Sequence, residues 1–137
     1  MFDVEAFQSS ALAFLVAFVA AGLFTVAFKL IYQFATPYKE GELIRQGNAA
    51  AAIVLGGALL GYVLPLASAL ANTVSLAEFA AWATLAGVIQ IVTFTVVRTV
   101  VMRDMAARIE RGEIAAALYL LSISLAVGVL NAACMTA

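Results

Sequence analysis

GELIRQGNAAAAIVLGGALLGYVLPLASALA, residues 41–71, decides the fold. A short charged lead-in passes into an uncharged run rich in Ala and Gly, which reaches Tyr62 and Pro65. A fainter copy, ARIERGEIAAALYLLSISLAVGVLNAACM, occupies residues 107–135. Placing Gly47 on Gly112 pairs Ile44 with Ile109, Ala50 with Ala115, Leu55 with Leu120 and Ala67 with Ala132. The chain therefore reads as one membrane domain, 1–137, in two halves. Repeat one covers about 10–71 and repeat two about 77–136.

Charge is scarce around these segments. Of 137 residues, 66% are hydrophobic and 11% charged, with a net charge of -1. A soluble domain carries roughly a quarter charged residues and about half apolar ones. Charge-free stretches run over 6–28, 46–77, 79–97 and 114–137. Each supplies the roughly 20 apolar residues that cross a bilayer core. The expected fold is an all-α integral membrane protein of four transmembrane helices, with no room for a soluble domain.

Several function classes lose their basis here. One cysteine, Cys134, and no histidine leave no internal disulfide and no Cys/His metal or haem cluster. Neither a cofactor nor a nucleic-acid partner is expected, since no basic binding surface is present. No nucleophile–base pair, phosphate loop or paired-carboxylate motif points to an enzyme. The lead residues MFDVEAFQSS are acidic where a cleavable signal is basic, so the first helix is expected to stay. Cys134 has no basic sequence neighbour and lies near a helix C-terminus, which suits a structural thiol.

Along the chain, residues 2–9 suggest a short amphipathic turn, and helix 1 is expected from about Ser10 to Gln33. Ala13, Ala17 and Ala21 make a small-residue stripe suited to close helix approach. Lys29 can snorkel and Tyr32 fits an interfacial belt. Thr36 as a cap, Pro37 at a first helical position and Glu40 and Glu42 near a positive helix end predict that helix 2 starts near Pro37 or Glu40. Its first turns would lie along the interface, with Leu43 and Ile44 toward lipid or protein. Gly57 and Gly61 form a GxxxG pair, and Ala52 with Gly56 a second small stripe. Pro65 removes a backbone donor and marks a kink or packing device. Helix 3 is capped by Asn72 or Ser75, carries Glu78 in its first turn and Trp82 as an anchor, and reaches about Val101. Gln90, Phe94 and Arg98 share one of its faces. Helix 4 runs from about Glu113 to Met135, with Ser124, Gly128 and Ala132 as a further small stripe.

All seven Lys and Arg residues lie in or beside the connections between helices 1 and 2 and helices 3 and 4. The positive-inside rule then places both connections in the cytoplasm and both termini outside. An even helix number per half makes the two repeats parallel.

Polar groups inside the apolar runs are costly unless partnered, which makes them the first functional candidates. These are Asn48, Tyr62, Ser68, Gln90 and Asn131, with Arg98 at the charged end; Thr93, Thr95, Ser122 and Ser124 are weaker. No Asp, Glu or His stands mid-membrane, which argues against a proton-coupled carrier.

LLGYVLPLASA (59–69), EFAAWATLAGVIQ (78–90), Arg98 and GVLNAACMT (128–136) closely resemble the YjfL-like bacterial inner-membrane family, known as domain of unknown function 350. The resemblance covers nearly the whole chain in order. It implies a four-helix protein of the bacterial inner (plasma) membrane with two tandem two-helix repeats. Family members often stand beside genes for phage-shock-type proteins and a glutathionylspermidine-synthase-like ligase, which implies envelope stress or membrane homeostasis. No activity comes with the resemblance. The outer loop departs from it: LAEF (76–79) stands where a member of the family has Asp, so Glu78 keeps a carboxylate in a slightly shifted place.

Two functions follow. The first is a homo-oligomeric membrane component whose cytoplasmic connections, with Arg103, Arg108 and Arg111, meet membrane lipids or a cytoplasmic membrane-stress protein. Small stripes on several helices support the oligomer. The second is a small oligomeric channel or transporter for ions or small solutes, with Asn48, Gln90 and Asn131 along a central path.

Overall fold

Local chemistry sets each helix end in the computed structural model, which describes residues 1–136. Helix α1 (Val4–Ala35) starts where Asp3 accepts the amides of Glu5 and Ala6, at 3.0 and 3.2 Å. It stops at Thr36, which turns extended and donates its hydroxyl back to the Tyr32 carbonyl at 2.7 Å. Helices α2 (Glu40–Arg45) and α5 (Met105–Glu110) are single short turns; α3 (Ala49–Asn72), α4 (Leu76–Val96) and α6 (Ile114–Cys134) are long. Asn48 caps α3 by accepting the Ala51 amide, and Ser75 caps α4 by accepting that of Glu78. Helix α4 continues as a π-helical turn over Val97–Val101. Four helices are long and apolar enough to cross a membrane.

Three expectations need correction. Residues 4–9 belong to α1 rather than to a separate turn. Thr36 closes α1 instead of opening the next helix, because its hydroxyl is held by the Tyr32 carbonyl. The second helix is not continuous from Glu40: Gly47, with φ of 85°, breaks it, and the membrane helix restarts at Ala49. Such a left-handed residue ends a helix at little cost only when it is glycine.

Gly112 repeats this break with φ of 77°. The hydrogen bonds repeat with it. The Gly47 and Asn48 amides donate to the Ile44 and Leu43 carbonyls at 2.9 Å. Those of Gly112 and Glu113 donate to the Ile109 and Arg108 carbonyls, at 2.9 and 3.0 Å. Both are the Schellman arrangement that closes a helix C-terminus.

Helix α3 is the central one. Its buried face (Ala50, Val54, Gly57, Ala58, Gly61, Tyr62, Pro65, Leu66, Ala69) recurs every three or four residues, and its broadest contact is with α6. The two run parallel: Asn48, just ahead of α3, bonds the Ile109 and Glu110 carbonyls at the end of α5, just ahead of α6, and Ser68 near the end of α3 reaches the Ala132 carbonyl near the end of α6. Helices α1 and α4 run in the same direction as well, since Phe24 meets Phe79 and, further along both helices, Tyr32 meets Phe94, with ring centroids 5.6 and 4.7 Å apart. Helix α1 is peripheral. It buries only Phe28 and Tyr32, and Phe28 stacks on Tyr62 at 4.3 Å.

Candidate functional site

Bilayer tails are as apolar as Leu, so membrane helices are joined by close packing and interhelical hydrogen bonds. The candidate polar residues fall on those joints. The Tyr62 hydroxyl donates to the Ala83 carbonyl at 3.0 Å, tying α3 to α4. Asn131 donates to the Ala86 carbonyl at 3.3 Å and Gln90 to the Ser124 carbonyl at 3.4 Å, so α4 and α6 are bonded at two depths. Ser68 donates to Ala132 at 3.0 Å, and the Asn48 amide group to Ile109 and Glu110 at 2.9 and 3.3 Å. Asn48 thus caps α3 with its oxygen and fastens α5 with its nitrogen.

Between the Asn48 and Ser68 bonds the backbones of α3 and α6 touch. A Cβ on Gly61 would stand 2.5 Å from the Ser124 carbonyl oxygen, and one on Gly57 would strike Leu121. A Cβ on Gly128 would collide with the Gly61 carbonyl oxygen. Pro65 explains why that oxygen is available, since proline lacks the N–H that would otherwise bond four residues back. Helix α3 runs on as one helix through Pro65, which is buried. The other small stripe, at Ala52 and Gly56, meets nothing: a Cβ on Gly56 has open space.

Beside this seam lies a small cavity of about 10 Å³, lined among others by Tyr32, Gln90, Thr93 and Ser124. That is about the room one water molecule needs. The Gln90 side-chain oxygen and the Tyr32 hydroxyl are buried and have no hydrogen-bond partner among the described residues.

At the charged end the helices enclose an acid. Glu40, the first residue of α2, is 2% exposed, and neither carboxyl oxygen has a partner among the described residues. Burial pushes its pKa up to about 7, against the opposing pull of the Thr36 and Tyr32 hydroxyls and the Lys29 charge. Tyr38 is buried beside it, and burial first and the Glu40 charge second raise the phenol's pKa further, with Glu110 acting the same way and Arg98 against it. The Arg98 side chain is half-buried with an unpartnered Nε. Sequence reasoning placed Glu40 at a solvated helix end and missed this enclosure. A signal was present: the register that pairs Gly47 with Gly112 pairs Glu40 with Met105, which is fully buried in α5.

The three arginines of the second connection separate. Arg103 is exposed. Arg108 is held by Glu113, its Nε donating to Oε1 at 2.8 Å, and Arg111 adds a longer contact of 3.3 Å. The Arg108 hydrogen bond is the main reason the Glu113 carboxyl titrates below its usual range. Cys134 is exposed in the last turn of α6.

Comparison with known proteins places this arrangement. The family model described as Domain of Unknown Function (DUF350) matches residues 6–135. The "UPF0719 inner membrane protein YjfL" of Escherichia coli (strain K12) is 40% identical over 127 residues, 93% of this chain and 96% of that protein. The protein of the same description from Escherichia coli O157:H7 matches equally. No solved structure matches.

Proposed function

The chain belongs to the DUF350 family, and we propose that it is a non-conducting component of the inner membrane that acts through lipid or protein contacts rather than catalysis. One observation carries this reading: Tyr62, Ser68, Gln90 and Asn131 each bond across a helix seam of one chain. Groups held this way stabilise a closed bundle and are not offered to a passing solute. The same bonds count against the channel alternative, which needs Gln90 and Asn131 on a wet axis.

In this reading the two halves are tandem parallel repeats, supported by the matched helix breaks at Gly47 and Gly112 and by the parallel runs of α3 with α6 and α1 with α4. Both termini lie outside the cytoplasm, on the distribution of Lys and Arg. The protein is a homo-oligomer, for which the open small face at Ala52 and Gly56 is available. Its working surface is the cytoplasmic end, where Arg103 is presented to anionic lipid or to a membrane-stress protein. An envelope-stress or membrane-homeostasis role accords with the genes that neighbour members of the family.

Ion and solute flux from liposomes carrying the purified protein tests the proposal. Release no faster than from protein-free liposomes is expected. Flux that Gln90→Leu and Asn131→Leu abolish would overturn it.

A further inference from the structure

Five buried polar atoms without hydrogen-bond partners among the described residues gather at the charged end: both Glu40 carboxyl oxygens, the Tyr32 and Tyr38 hydroxyls and Arg98 Nε. They come from α1, the α1–α2 connection, α2 and the π-helical turn that ends α4. A buried charge without a hydrogen-bonded partner is strongly disfavoured, whereas a neutral carboxyl can both donate and accept. π-Helical turns often mark functional positions in helices. The charged and titratable groups facing the acid are Lys29 and Tyr32 from α1 and Tyr38 from the connection; Arg98 from α4 and Glu110 from α5 face it across Tyr38. Among the described residues no group of three or more His, Cys, Asp or Glu side chains gathers to ligate a metal ion, and burial of the carboxyl outweighs the opposing Lys29 charge, so the occupant suited to this pocket is a proton.

We propose that Glu40 is a proton-binding site that latches α2 onto the end of the bundle. Protonated, the carboxyl brings no charge into the pocket and can donate to or accept from the Thr36 and Tyr32 hydroxyls beside it, and α2 stays docked through Leu43 and Ile44, which pack on the core. On loss of the proton to solvent the carboxylate is stranded in a low-dielectric pocket. The short helix is held at each end only by a loop, so it swings out and hydrates the charge. Release of α2 uncovers Tyr38 and takes apart the groove beside it, whose wall includes Glu42 and Leu43 of α2 facing Glu110. The cytoplasmic end then has two forms set by pH near neutrality, whichever partner it meets.

Hydrogen exchange of the full chain in phosphatidylcholine nanodiscs, followed by mass spectrometry and corrected for intrinsic rates, tests the latch. Between about pH 5.5 and 8.5 protection over residues 36–46 should fall roughly tenfold or more, as one proton is lost. Glu40→Gln should stay protected throughout, and Glu42→Gln, at an exposed site, should titrate like the parent. Unchanging protection in the parent, or the same transition in Glu40→Gln, would overturn the proposal. Should Glu40→Gln misfold, the infrared carboxyl band of the parent decides. A protonated-acid band lost on raising the pH through neutrality together with the loss of protection supports the latch. Its absence at the acid end contradicts it.

Discussion

Gly128 of α6 rests its Cα against the Gly61 carbonyl of α3, the oxygen that Pro65 leaves without its helical donor. Gly61 in turn faces the Ser124 carbonyl, which Gln90 also approaches. Two backbones and one proline thus settle where the parallel pair crosses. A Cα–H···O contact there is second-order in energy, but it fills the acceptor that hydrocarbon cannot.

Gly128→Ala should therefore destabilise the folded protein by about 1–3 kcal/mol, the usual cost of overpacking a filled site. Gly56→Ala, where a Cβ has open space, should be neutral or slightly stabilising through helix propensity. Unfolding in mixed micelles followed by circular dichroism compares the two.

Asn48 joins α3 to α5 with one side chain. Asn48→Ala should cost about 1–2 kcal/mol through the lost cap alone, with more from the freed Ile109 and Glu110 carbonyls. Asn48→Asp restores the acceptor for Ala51 but not the donor, so it should recover only part of the loss. The same unfolding assay, run on both variants, reads this difference.

The left-handed glycines give a purely backbone prediction. Gly47→Ala meets no atom within 4 Å, yet should cost about 1–2 kcal/mol because alanine resists positive φ. Gly47→Asn should cost less, since asparagine tolerates that conformation. Thermal melts of the two variants check the order.

Glu40 predicts the direction of pH dependence. Its pKa is raised from 4.5 to about 7 in the folded protein, so the folded state holds a proton that the unfolded chain has already released. The stabilisation is complete below pH 4.5 and is lost as pH rises towards about 7, at up to about 1.4 kcal/mol per pH unit. Glu40→Gln should flatten this slope in denaturant titrations at several pH values.

Much of this was legible in the sequence, for a clear reason. Four charge-free runs can only cross a bilayer as helices, and Ser75 caps through a rule that acts over three residues, whereas Asn48, read as a polar candidate inside the apolar run, proves to be a cap. Gly57, Gly61 and Gly128 signalled close approach, though not which helix they meet. The α1–α2 connection departs from the expectation because Thr36, Pro37 and Glu40 together resemble a helix start, while Thr36 bonds back to the Tyr32 carbonyl and closes α1 and tertiary packing buries Glu40. Burial of an acid is a property of how α1, the α1–α2 connection and α2 pack together. No local window contains it. Arg98 likewise looks free to snorkel until the π-helical turn sets its Nε inside.

Cys134, the single exposed thiol, reports topology. With the C-terminus outside, a membrane-impermeant maleimide should label intact spheroplasts and leave Cys134→Ser unlabelled. Labelling only after permeabilisation would reverse the assignment.

In a closed bundle the polar groups bond within one chain. Cryo-microscopy of the purified protein in lipid nanodiscs shows both the assembly and where side chains point. Gln90 and Asn131 should turn into the α4–α6 seam, with Gly61 against Gly128 and no continuous polar path through any assembly. A ring of subunits with Gln90 and Asn131 lining a water-filled axis would overturn the closed bundle.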